Sequence, residues 1–339
     1  MRTVRDVGAV REAHDDLDDR AAAAAGINPA TWASAQELIA LRRHAGQIGL
    51  QCAGPARAQR GGEHLSRFRG RGMDYQESRA YSDGDDVRSM DWRVTARTGV
   101  AHVKVYQEER ERPVVFGIDF NPGMFFGSRG RLKSVVATHA AALLAWAAAD
   151  NGDRVGALLY NGGTCDLAPR GGAHGVLQLI RQLVAHSDPH LGIDARPGAG
   201  GLGAALVRLR RVSRPGSLIV LIGDFYGLDD DCDRQLQWLR RHNDVVALQI
   251  VDPLEIAPPQ PARYGVVVGG QRCVLDLRPA AARRAYQECF GRHHDLVAAT
   301  MRRHAISLLR LPTDADTLGA LRRHFAHGKR RAPEHRLAA

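Results

Sequence analysis

Two short stretches of the chain predict its fold: PVVFGID at residues 113–119 and LIVLIGD at residues 218–224. Each is a continuous apolar run that ends in a carboxylate, and segments with helical periodicity lie between them. Strands that are apolar on both faces are typical of a parallel sheet covered by helices on both sides. We therefore predict a doubly wound, mostly parallel α/β fold with Asp119 and Asp224 at the carboxyl ends of two strands.

Working outward from these stretches, the same alternation continues over the second half of the chain. Further strands are predicted at residues 154–160, 164–167, 245–251 and 306–311, with a hairpin at 265–268 and 273–277. Helices are predicted at residues 131–150, 176–184, 204–212, 232–242, 279–304 and 314–326. An N-terminal helix from Thr31, its cap, to residue 45 has Leu38, Ile39 and Leu41 on its apolar side.

Changes in composition divide the chain into four segments. A polar and then helical segment covers residues 1–50, and a segment rich in Gly, Arg and Asp covers residues 51–112. We expect the second segment to form loops and short strands that pack on the main domain. The α/β domain covers residues 113–328, and a basic flexible tail covers residues 329–339.

The overall composition is that of a globular protein with a basic net charge. Hydrophobic residues make up 44% of the chain, charged residues make up 25%, and the net charge is +10. Lys104, Lys133 and Lys329 are the lysines among 47 Lys and Arg residues, which together with the abundant alanine indicates mutational bias in a GC-rich bacterial genome. A nucleic-acid partner is the alternative explanation of the surplus arginine, but acidic residues are interleaved with most of it.

Cysteine spacing and hydropathy indicate a cytoplasmic protein. The five cysteines have neither metal-ligand nor redox spacing, and their odd number does not suit a secreted disulfide framework. The longest apolar stretch, about a dozen residues around Ala140, is shorter than the roughly 20 residues that a membrane span needs. We therefore expect no membrane span and no secretion signal.

Asp119 and Asp224 could together hold a divalent cation, because neighbouring parallel strands end at one edge of the sheet. The five residues from Asp119 resemble the Asp-x-Ser-x-Ser motif of von Willebrand factor A domains, where two serines, a later threonine and a second aspartate surround Mg²⁺. Here Asn121 could supply a carbonyl oxygen and Asp224 matches the second aspartate, but Gly123 has no donor and loop 198–203 has no threonine. We expect weak Mg²⁺ binding or none at this degenerate site. Capping of the following loops is the alternative role of the two carboxylates.

A longer resemblance rests on an ordered series of motifs. The stretches GRGMDY at 70–75, RAYSDGDDVR at 79–88, MDW at 90–92 and AR at 96–97 precede GDRVG at 152–156 and VDPLE at 251–255. In this order they resemble the signature of domain-of-unknown-function family fifty-eight, over residues 60 to 325. The resemblance implies a von Willebrand factor A-like domain that is usually encoded beside a MoxR-type AAA+ ATPase. Such pairs are thought to act as chaperone-like or metal-insertion machinery.

Two interpretations of the signature are open. Its charged and aromatic residues could pin the segment onto the main domain, because Arg pairs rigidly with carboxylates and Tyr81 and Trp92 could serve as apolar anchors. Alternatively, part of the cluster is a docking surface, since Trp, Tyr and Arg are frequent binding hot spots. Charge reversal at Asp85 unfolds the protein under the first interpretation and only abolishes binding under the second. The residues concerned are Arg79, Tyr81, Asp83, Gly84, Asp85, Asp86, Arg88, Asp91, Trp92 and Arg97.

The sequence contains no catalytic motif of the common hydrolase, zinc-protease or P-loop kinds. His293 and His294 are predicted to be surface histidines on the long helix. The buried face of that helix is assigned to Tyr286, Phe290, Val297 and Met301. We therefore predict a non-enzymatic adaptor that binds a MoxR-type AAA+ ATPase or its client through the carboxyl edge of the sheet. A divalent-metal-dependent hydrolase or nuclease using Asp119 and Asp224 is one alternative, and a nucleic-acid binder is another.

Overall fold

The computed structural model describes residues 28–50, 73–82, 85–108, 112–190, 201–268 and 271–326. The chain separates into two compact units, and the smaller one contains the described residues 73–82 and 85–108. Residues 1–27 and the predicted flexible tail at 329–339 lie outside the described residues.

Beyond residue 112 the described elements alternate between strand and helix in the predicted order. The strands are β1 (Met73–Ala80), β2 (His102–Glu108), β3 (Pro113–Asp119), β4 (Arg154–Tyr160), β5 (Thr164–Gly171), β6 (Leu218–Gly223), β7 (Asp244–Val251), β8 (Arg263–Val268), β9 (Gln271–Asp276) and β10 (Ser307–Pro312). The helices are α1 (Ala35–Ala40), α2 (Trp92–Thr98), α3 (Lys133–Asp150), α4 (Gly172–His186), α5 (Leu202–Val212), α6 (Asp230–His242), α7 (Pro253–Ile256), α8 (Ala280–Arg303) and α9 (Thr317–Ala326).

A six-stranded sheet in the spatial order β10-β7-β6-β3-β4-β5 forms the centre of the larger unit. Its strands run parallel except for β5, which is antiparallel to β4. The turn between β4 and β5 has Gly162 in the left-handed region, with a φ of 64°, and this fits the predicted Asn-Gly-Gly turn. Helices cover both faces of the sheet, which confirms the predicted doubly wound, mostly parallel α/β fold.

The apolar strands are divided between two cores. Successive side chains of a strand point to opposite faces, so Val114, Phe116 and Ile118 of β3 enter one core and Val115 enters the other. Helices α1, α3, α4 and α9 close the first core, and α5, α6 and α8 close the second. Burial on both faces explains why the strands are apolar runs rather than alternating sequences.

Helix α3 is buried around its whole circumference. Every residue from Lys133 to Ala148 is buried. The reason is that α1, α4, α9 and the 3₁₀ helix Leu41–Gln47 pack on the sides that the sheet leaves free. Its many alanines allow this close approach and also favour the helix itself. No helix of the described chain combines the length and apolar character that crossing a lipid bilayer requires.

The N-terminal helix begins later than predicted. Ser34, not Thr31, caps it, since the Ser34 hydroxyl accepts a hydrogen bond from the Glu37 backbone N–H at 3.2 Å. Helix α1 is short and passes directly into a 3₁₀ helix. Leu38 is fully buried as predicted, but Ile39 is 43% exposed. Adjacent residues of an α-helix lie about 100° apart around its axis, so the burial of Leu38 leaves Ile39 turned towards the exposed side.

The smaller unit has more regular structure than predicted. Strand β1 pairs antiparallel with β2, and α2 lies between them in the chain. The Asp91 carboxylate caps α2, accepting from the backbone N–H groups of Arg93 and Val94 at 3.2 Å each. Strand β1 was missed because its sequence, MDYQESRA, is polar along most of its length. An apolar alternation was therefore absent from the pattern.

Candidate functional site

Asp119 and Asp224 lie at the same edge of the sheet. Strands β3 and β6 are neighbours, with Ile118 opposite Ile222, and each aspartate stands at the carboxyl end of its strand. Both side chains are buried. Burial, together with the charge of Asp224, raises the pKa of Asp119 to about 7. The structure therefore brings together the two carboxylates that the sequence places after β3 and β6.

One oxygen of each aspartate organises the loop that follows its strand. The backbone N–H and the side-chain Nδ2 of Asn121 both donate to Oδ1 of Asp119 at 2.8 Å. The backbone N–H of Tyr226 donates to Oδ1 of Asp224 at 3.2 Å. Asn121 thus presents its amide nitrogen to Asp119 where the sequence suggested a carbonyl oxygen for a metal. These contacts correspond to the loop-capping role.

Lys133, the first residue of α3, supplies a cation to this edge. Its Nζ donates to Oδ2 of Asp224 at 3.1 Å and to Oε1 of Glu255 at 2.9 Å. The Lys133 side chain is 2% exposed and each acid is 8% exposed, so solvent barely screens the ion pairs. Burial alone would lower the pKa of Lys133, but the charges of Asp224 and Glu255 and their hydrogen bonds raise it above the usual lysine value.

Glu255 is held in place by the backbone of Asp252, a residue whose own side chain is a second buried carboxylate. Its Oε2 accepts from the backbone N–H of Asp252 at 2.9 Å, in a capping box at the start of α7. The Asp252 carboxylate in turn accepts from the backbone N–H of Ser128 at 2.7 Å and from the Thr313 hydroxyl at 3.1 Å. This network joins the loops after β3, β7 and β10, so it makes the edge rigid.

Helix α8 covers this edge with the two adjacent histidines. Both were predicted to be surface residues, and the structure shows that neither is. His294 is buried, donates from Nε2 to the Glu255 carbonyl at 3.0 Å, and accepts from the Gln249 side chain at 3.2 Å. His293 donates to the Asp224 carbonyl at 2.9 Å and stacks on the Tyr226 ring at a centroid distance of 3.9 Å. Helix α8 packs against the loops after β6 and β7, and the side of the helix that carries the two histidines therefore faces inward.

Two tyrosines complete the surroundings of the cluster. Tyr160, at the end of β4, is fully enclosed, and burial together with the charges of Asp119 and Asp224 raises its pKa well above the ordinary tyrosine value. The ring of Tyr226 lies 5.6 Å from the Lys133 Nζ, within cation–π distance. Both phenols therefore stay protonated and neutral beside the carboxylates.

The donor set at this edge does not fit Mg²⁺, which demands near-octahedral oxygen ligation. Oδ1 of Asp119 accepts two hydrogen bonds, Oδ2 of Asp224 accepts from Lys133, and Gly123 carries no donor. Residues 198–200 of the glycine-rich loop lie outside the described residues, and residues 201–203 contain no threonine. In the described part of the chain, no group of three or more His, Cys, Asp or Glu side chains is arranged to hold a metal ion.

Lys133 and Glu255 were missed by the sequence analysis, although the sequence contains a signal for the first of them. Arginine outnumbers lysine strongly in this chain, so a lysine departs from the chain's own compositional bias and draws attention to its position. A compact ammonium fits between two buried carboxylates, whereas the planar guanidinium needs more room. Glu255 follows Asp252-Pro253 with capping-box spacing, which indicates a structural cap and not a counter-ion.

Three loops at the carboxyl edge each expose one large apolar side chain. Phe126 follows β3, Tyr226 follows β6 and Ile256 ends α7 after β7, with exposures of 45%, 49% and 47%. All three are tied to Lys133. The Lys133 backbone N–H donates to the Phe126 carbonyl at 2.9 Å, the Tyr226 ring is the cation–π partner, and Glu255 directly precedes Ile256. We refer to these three residues as the apolar rim.

The signature residues occupy the smaller unit, where capping is as prominent as ion pairing. Arg79 pairs with Asp85 at 2.7 Å at the surface, while Asp91 caps α2 and also accepts from the Ser78 hydroxyl at 2.7 Å. Trp92, in the first turn of α2, is 67% exposed, and its suggested role as an apolar anchor stays a prediction. Asp83 and Gly84 lie outside the described residues.

The other signature residues lie in the same unit. Tyr81 is half-buried, and the Asp86 carboxylate accepts from the Arg88 backbone N–H at 3.0 Å, capping the 3₁₀ helix Val87–Ser89. Arg97 is an exposed residue of the last turn of α2, where a cation suits the helix dipole. Whether the signature is a structural network or a docking surface stays a prediction.

Comparison with protein families and individual relatives gives sequence matches over most of the chain. The family described as "Protein of unknown function DUF58" matches residues 77–295. The uncharacterized protein Rv1480 of Mycobacterium tuberculosis is 32% identical over 279 residues, which cover 80% of this chain and 84% of that protein. The uncharacterized protein Mb1516 of Mycobacterium bovis matches with the same identity and coverage.

Comparison with solved structures gives weaker matches. BatB from Bacteroides thetaiotaomicron is 12% identical with a TM-score of 0.38, covering 64% of this chain and 98% of that chain. A von Willebrand factor type A protein from Catenulispora acidiphila is 14% identical with a TM-score of 0.31, covering 57% of this chain and 44% of that chain. The fold assignment therefore rests on the strand order and the helix placement described above.

Proposed function

The chain belongs to the DUF58 family, and from this membership we propose that it is a protein-interaction module that binds its partner at the carboxyl edge of the sheet and works without catalysis. The doubly wound domain is consistent with an interaction role. The finer parts of the proposal concern the binding surface, the kind of partner and the absence of chemistry, and each has its own support.

The apolar rim is the observation that carries the proposal. Phe126, Tyr226 and Ile256 come from loops after three adjacent strands, so their exposed side chains stand at one edge. Large aromatic and aliphatic side chains that remain exposed together are typical of binding surfaces, where they fill pockets of the partner. The rim is the feature at this edge that a partner could reach, since the carboxylates behind it are buried.

The rigid cluster beneath the rim supports a binding role. Lys133 connects the loops that carry the three rim residues through its backbone and its ammonium group. Loops held in this way lose little conformational entropy on association, and a preorganised surface binds more tightly for that reason. A surface that only had to remain soluble would not need three loops joined by buried ion pairs.

The proposed partner is an AAA+ ATPase of the MoxR type, or a client protein of such an ATPase, in the cytosol. The support is the family resemblance carried by the signature motifs, because relatives of this kind are usually encoded beside such an ATPase. The proposed role is an adaptor in chaperone-like assembly or maturation of other proteins. Nothing in the cluster favours the alternatives of hydrolase or nucleic-acid binder.

A role without chemistry is supported by the state of the carboxylates. A metal-dependent hydrolase needs carboxylate oxygens directed at a cation and a water molecule. Here Asp224 and Glu255 are engaged by Lys133, and Asp119 is engaged by Asn121. Because these carboxylates are already engaged, we propose that they do not hold a cation with a water nucleophile when the protein works.

Binding between the full chain and a purified MoxR-type ATPase from the same genome, measured by surface plasmon resonance, tests the proposal. Phe126→Ala and Ile256→Ala remove exposed rim side chains without touching the buried cluster. We expect each to weaken binding by about tenfold or more, as truncation of an interface anchor does. The dissociation rate should account for most of the loss.

Leu177→Ala is the matched control. Leu177 is 44% exposed, close to Phe126 at 45%, but it lies near the start of α4, after β5 has returned to the amino edge. We expect it to leave the affinity unchanged within about twofold. Failure of the wild-type chain to bind any MoxR-type ATPase of its genome would reject the partner. Equal losses for the rim variants and Leu177→Ala would reject the carboxyl edge as the surface.

A further inference from the structure

Lys133 stands where several effects oppose a buried cation. It is the first residue of α3, and the positive end of a helix dipole disfavours an ammonium group there. It is almost fully buried, which removes the hydration that an ammonium group requires. Leu132, the residue before it, supplies no side-chain cap. A lysine kept at such a position needs a specific counter-charge to stabilise it.

The negative charge around Lys133 exceeds the single carboxylate that would neutralise one ammonium group. Asp224 and Glu255 both accept from the Lys133 ammonium, and the charge of Lys133 also lowers the pKa that burial gives Asp119. A surplus of buried carboxylates over buried cations is the charge pattern of a metal site and not of a simple salt bridge. The cation present here belongs to the chain itself.

Gly123 keeps the place of the ammonium open. A Cβ built at Gly123 would lie 3.1 Å from Oδ2 of Asp224, the oxygen that accepts from Lys133. A serine at this position, as in the metal-binding motif, would press on that oxygen. Gly123 lacks the serine side chain of the Mg²⁺-binding motif. The same lack leaves Oδ2 of Asp224 accessible to Lys133.

From this disagreement between the donor set and Mg²⁺, we infer that the Lys133 ammonium is the resident cation of the carboxyl edge and excludes divalent cations from it. The ammonium neutralises Asp224 and Glu255 as a bound divalent ion would, and a second cation beside it would be repelled. The edge is consequently complete without any metal. This inference is independent of the proposed function, since it concerns cation binding by the chain alone.

Removal of the ammonium should convert the edge into a site for an external cation. In Lys133→Ala, Asp224 and Glu255 lose their counter-charge, and the space left by the side chain should accept Mn²⁺ or a small alkylammonium such as propylammonium. Two readouts apply to the full chain: the electron paramagnetic resonance signal of free Mn²⁺ and the shift of Tm with added cation. We expect Mn²⁺ to bind Lys133→Ala at least about tenfold more tightly than wild type.

The same cations should raise the Tm of Lys133→Ala by several degrees and leave that of the wild-type chain unchanged. Lys104→Ala is the control, since it removes a lysine of β2 in the smaller unit that is not part of the edge cluster, and it should gain no Mn²⁺ binding. If Lys133→Ala does not fold, the double variant Lys133→Ala/Glu255→Gln removes one buried charge together with the ammonium and retains Asp119 and Asp224. We expect that variant to bind Mn²⁺ as well.

Two results would overturn the inference. Submillimolar binding of Mn²⁺ by the wild-type chain, lost in Asp224→Asn, would mean that Lys133 does not exclude a divalent ion. A folded Lys133→Ala variant that binds neither Mn²⁺ nor propylammonium would mean that the ammonium does not occupy a cation site. Chelator treatment of the wild-type chain adds a further check, since it should leave the Tm unchanged.

Discussion

Asp119 is the least compensated carboxylate of the edge cluster. The Lys133 ammonium donates to Asp224 and Glu255 and not to Asp119, whose hydrogen bonds come from the neutral Asn121. Burial and the charge of Asp224 therefore outweigh those hydrogen bonds, and the pKa of Asp119 rises to about 7. A single residue thus makes the charge of the edge change around neutral pH.

The raised pKa predicts a pH-dependent effect of Asp119→Asn on stability. In the unfolded chain the Asp119 carboxyl has its ordinary pKa, so between pH 4 and 7 the folded state binds more protons than the unfolded state. The stabilisation from this proton is present in full below the unfolded pKa and is lost as pH rises through 7. At pH 8 the wild-type chain therefore holds a costly buried charge, which the neutral amide of Asn removes.

We expect Asp119→Asn to be more stable than wild type at pH 8 by on the order of a few kcal/mol, and we expect the difference to shrink towards pH 5. Urea unfolding midpoints of both proteins at pH 5 and pH 8 provide the measurement. A difference of the same size at both pH values would show that the substitution acts through packing and not through the proton.

At the scale of single elements, the short helix α1 is stabilised mainly by tertiary contacts. A helix of six residues is too short to be stable alone. The indole N–H of Trp146 donates to the Leu38 carbonyl at 3.0 Å, and the Glu37 carboxylate lies 3.1 Å from both Arg131 and His139. These contacts fasten α1 to α3 and to the loop before it.

Leu38 and Ile39 provide a paired test of how α1 is attached. Leu38 is fully buried in the core around α3, whereas Ile39, the next residue, is 43% exposed. We expect Leu38→Ala to lower the free energy of unfolding by about 2–5 kcal/mol, as cavity-forming substitutions do. Ile39→Ala should change it by less than about 0.5 kcal/mol.

Chemical denaturation followed by circular dichroism measures both values. A larger effect of Ile39→Ala than of Leu38→Ala would place α1 with its other face towards the core. A small effect of both would mean that α1 contributes little to the stability of the larger unit.

At the scale of the whole molecule, stability is expected to be distributed unevenly. Strands β3, β6 and β7 lie inside the sheet and have both faces buried, while β8 and β9 form a separate two-stranded ribbon with largely exposed side chains. Amides open mainly through local or global unfolding, and buried central strands open last. A two-stranded ribbon has little packing to keep it closed.

Hydrogen–deuterium exchange with peptide-level mass spectrometry should reveal this order. We expect amides of β3, β6 and β7 to exchange at least about a hundredfold more slowly than those of β8 and β9. Similar exchange rates in the ribbon and in the central strands would show that the ribbon is packed as firmly as the sheet.

The sequence was sufficient for the large features of the fold and for the position of the two aspartates. Apolar runs bounded by helical periodicity are local signals, and they predicted β3, β4, β6, β7 and most helices to within a few residues. The polar strand β1, the all-round burial of α3 and the inward direction of His294 were not predictable in this way, because each depends on what another segment covers.

By itself, the sequence determined a doubly wound sheet whose strands deliver Asp119 and Asp224 to one edge, because strand order and burial follow from patterns within short windows. Only the tertiary structure decided what those carboxylates contact. Lys133 lies 91 residues from Asp224 and 122 from Glu255 in the chain, and its ammonium group meets both only after β3, β6 and β7 have assembled side by side. A buried ion pair of this kind leaves no periodic trace in the sequence, since its geometry exists only between segments and not within any one of them.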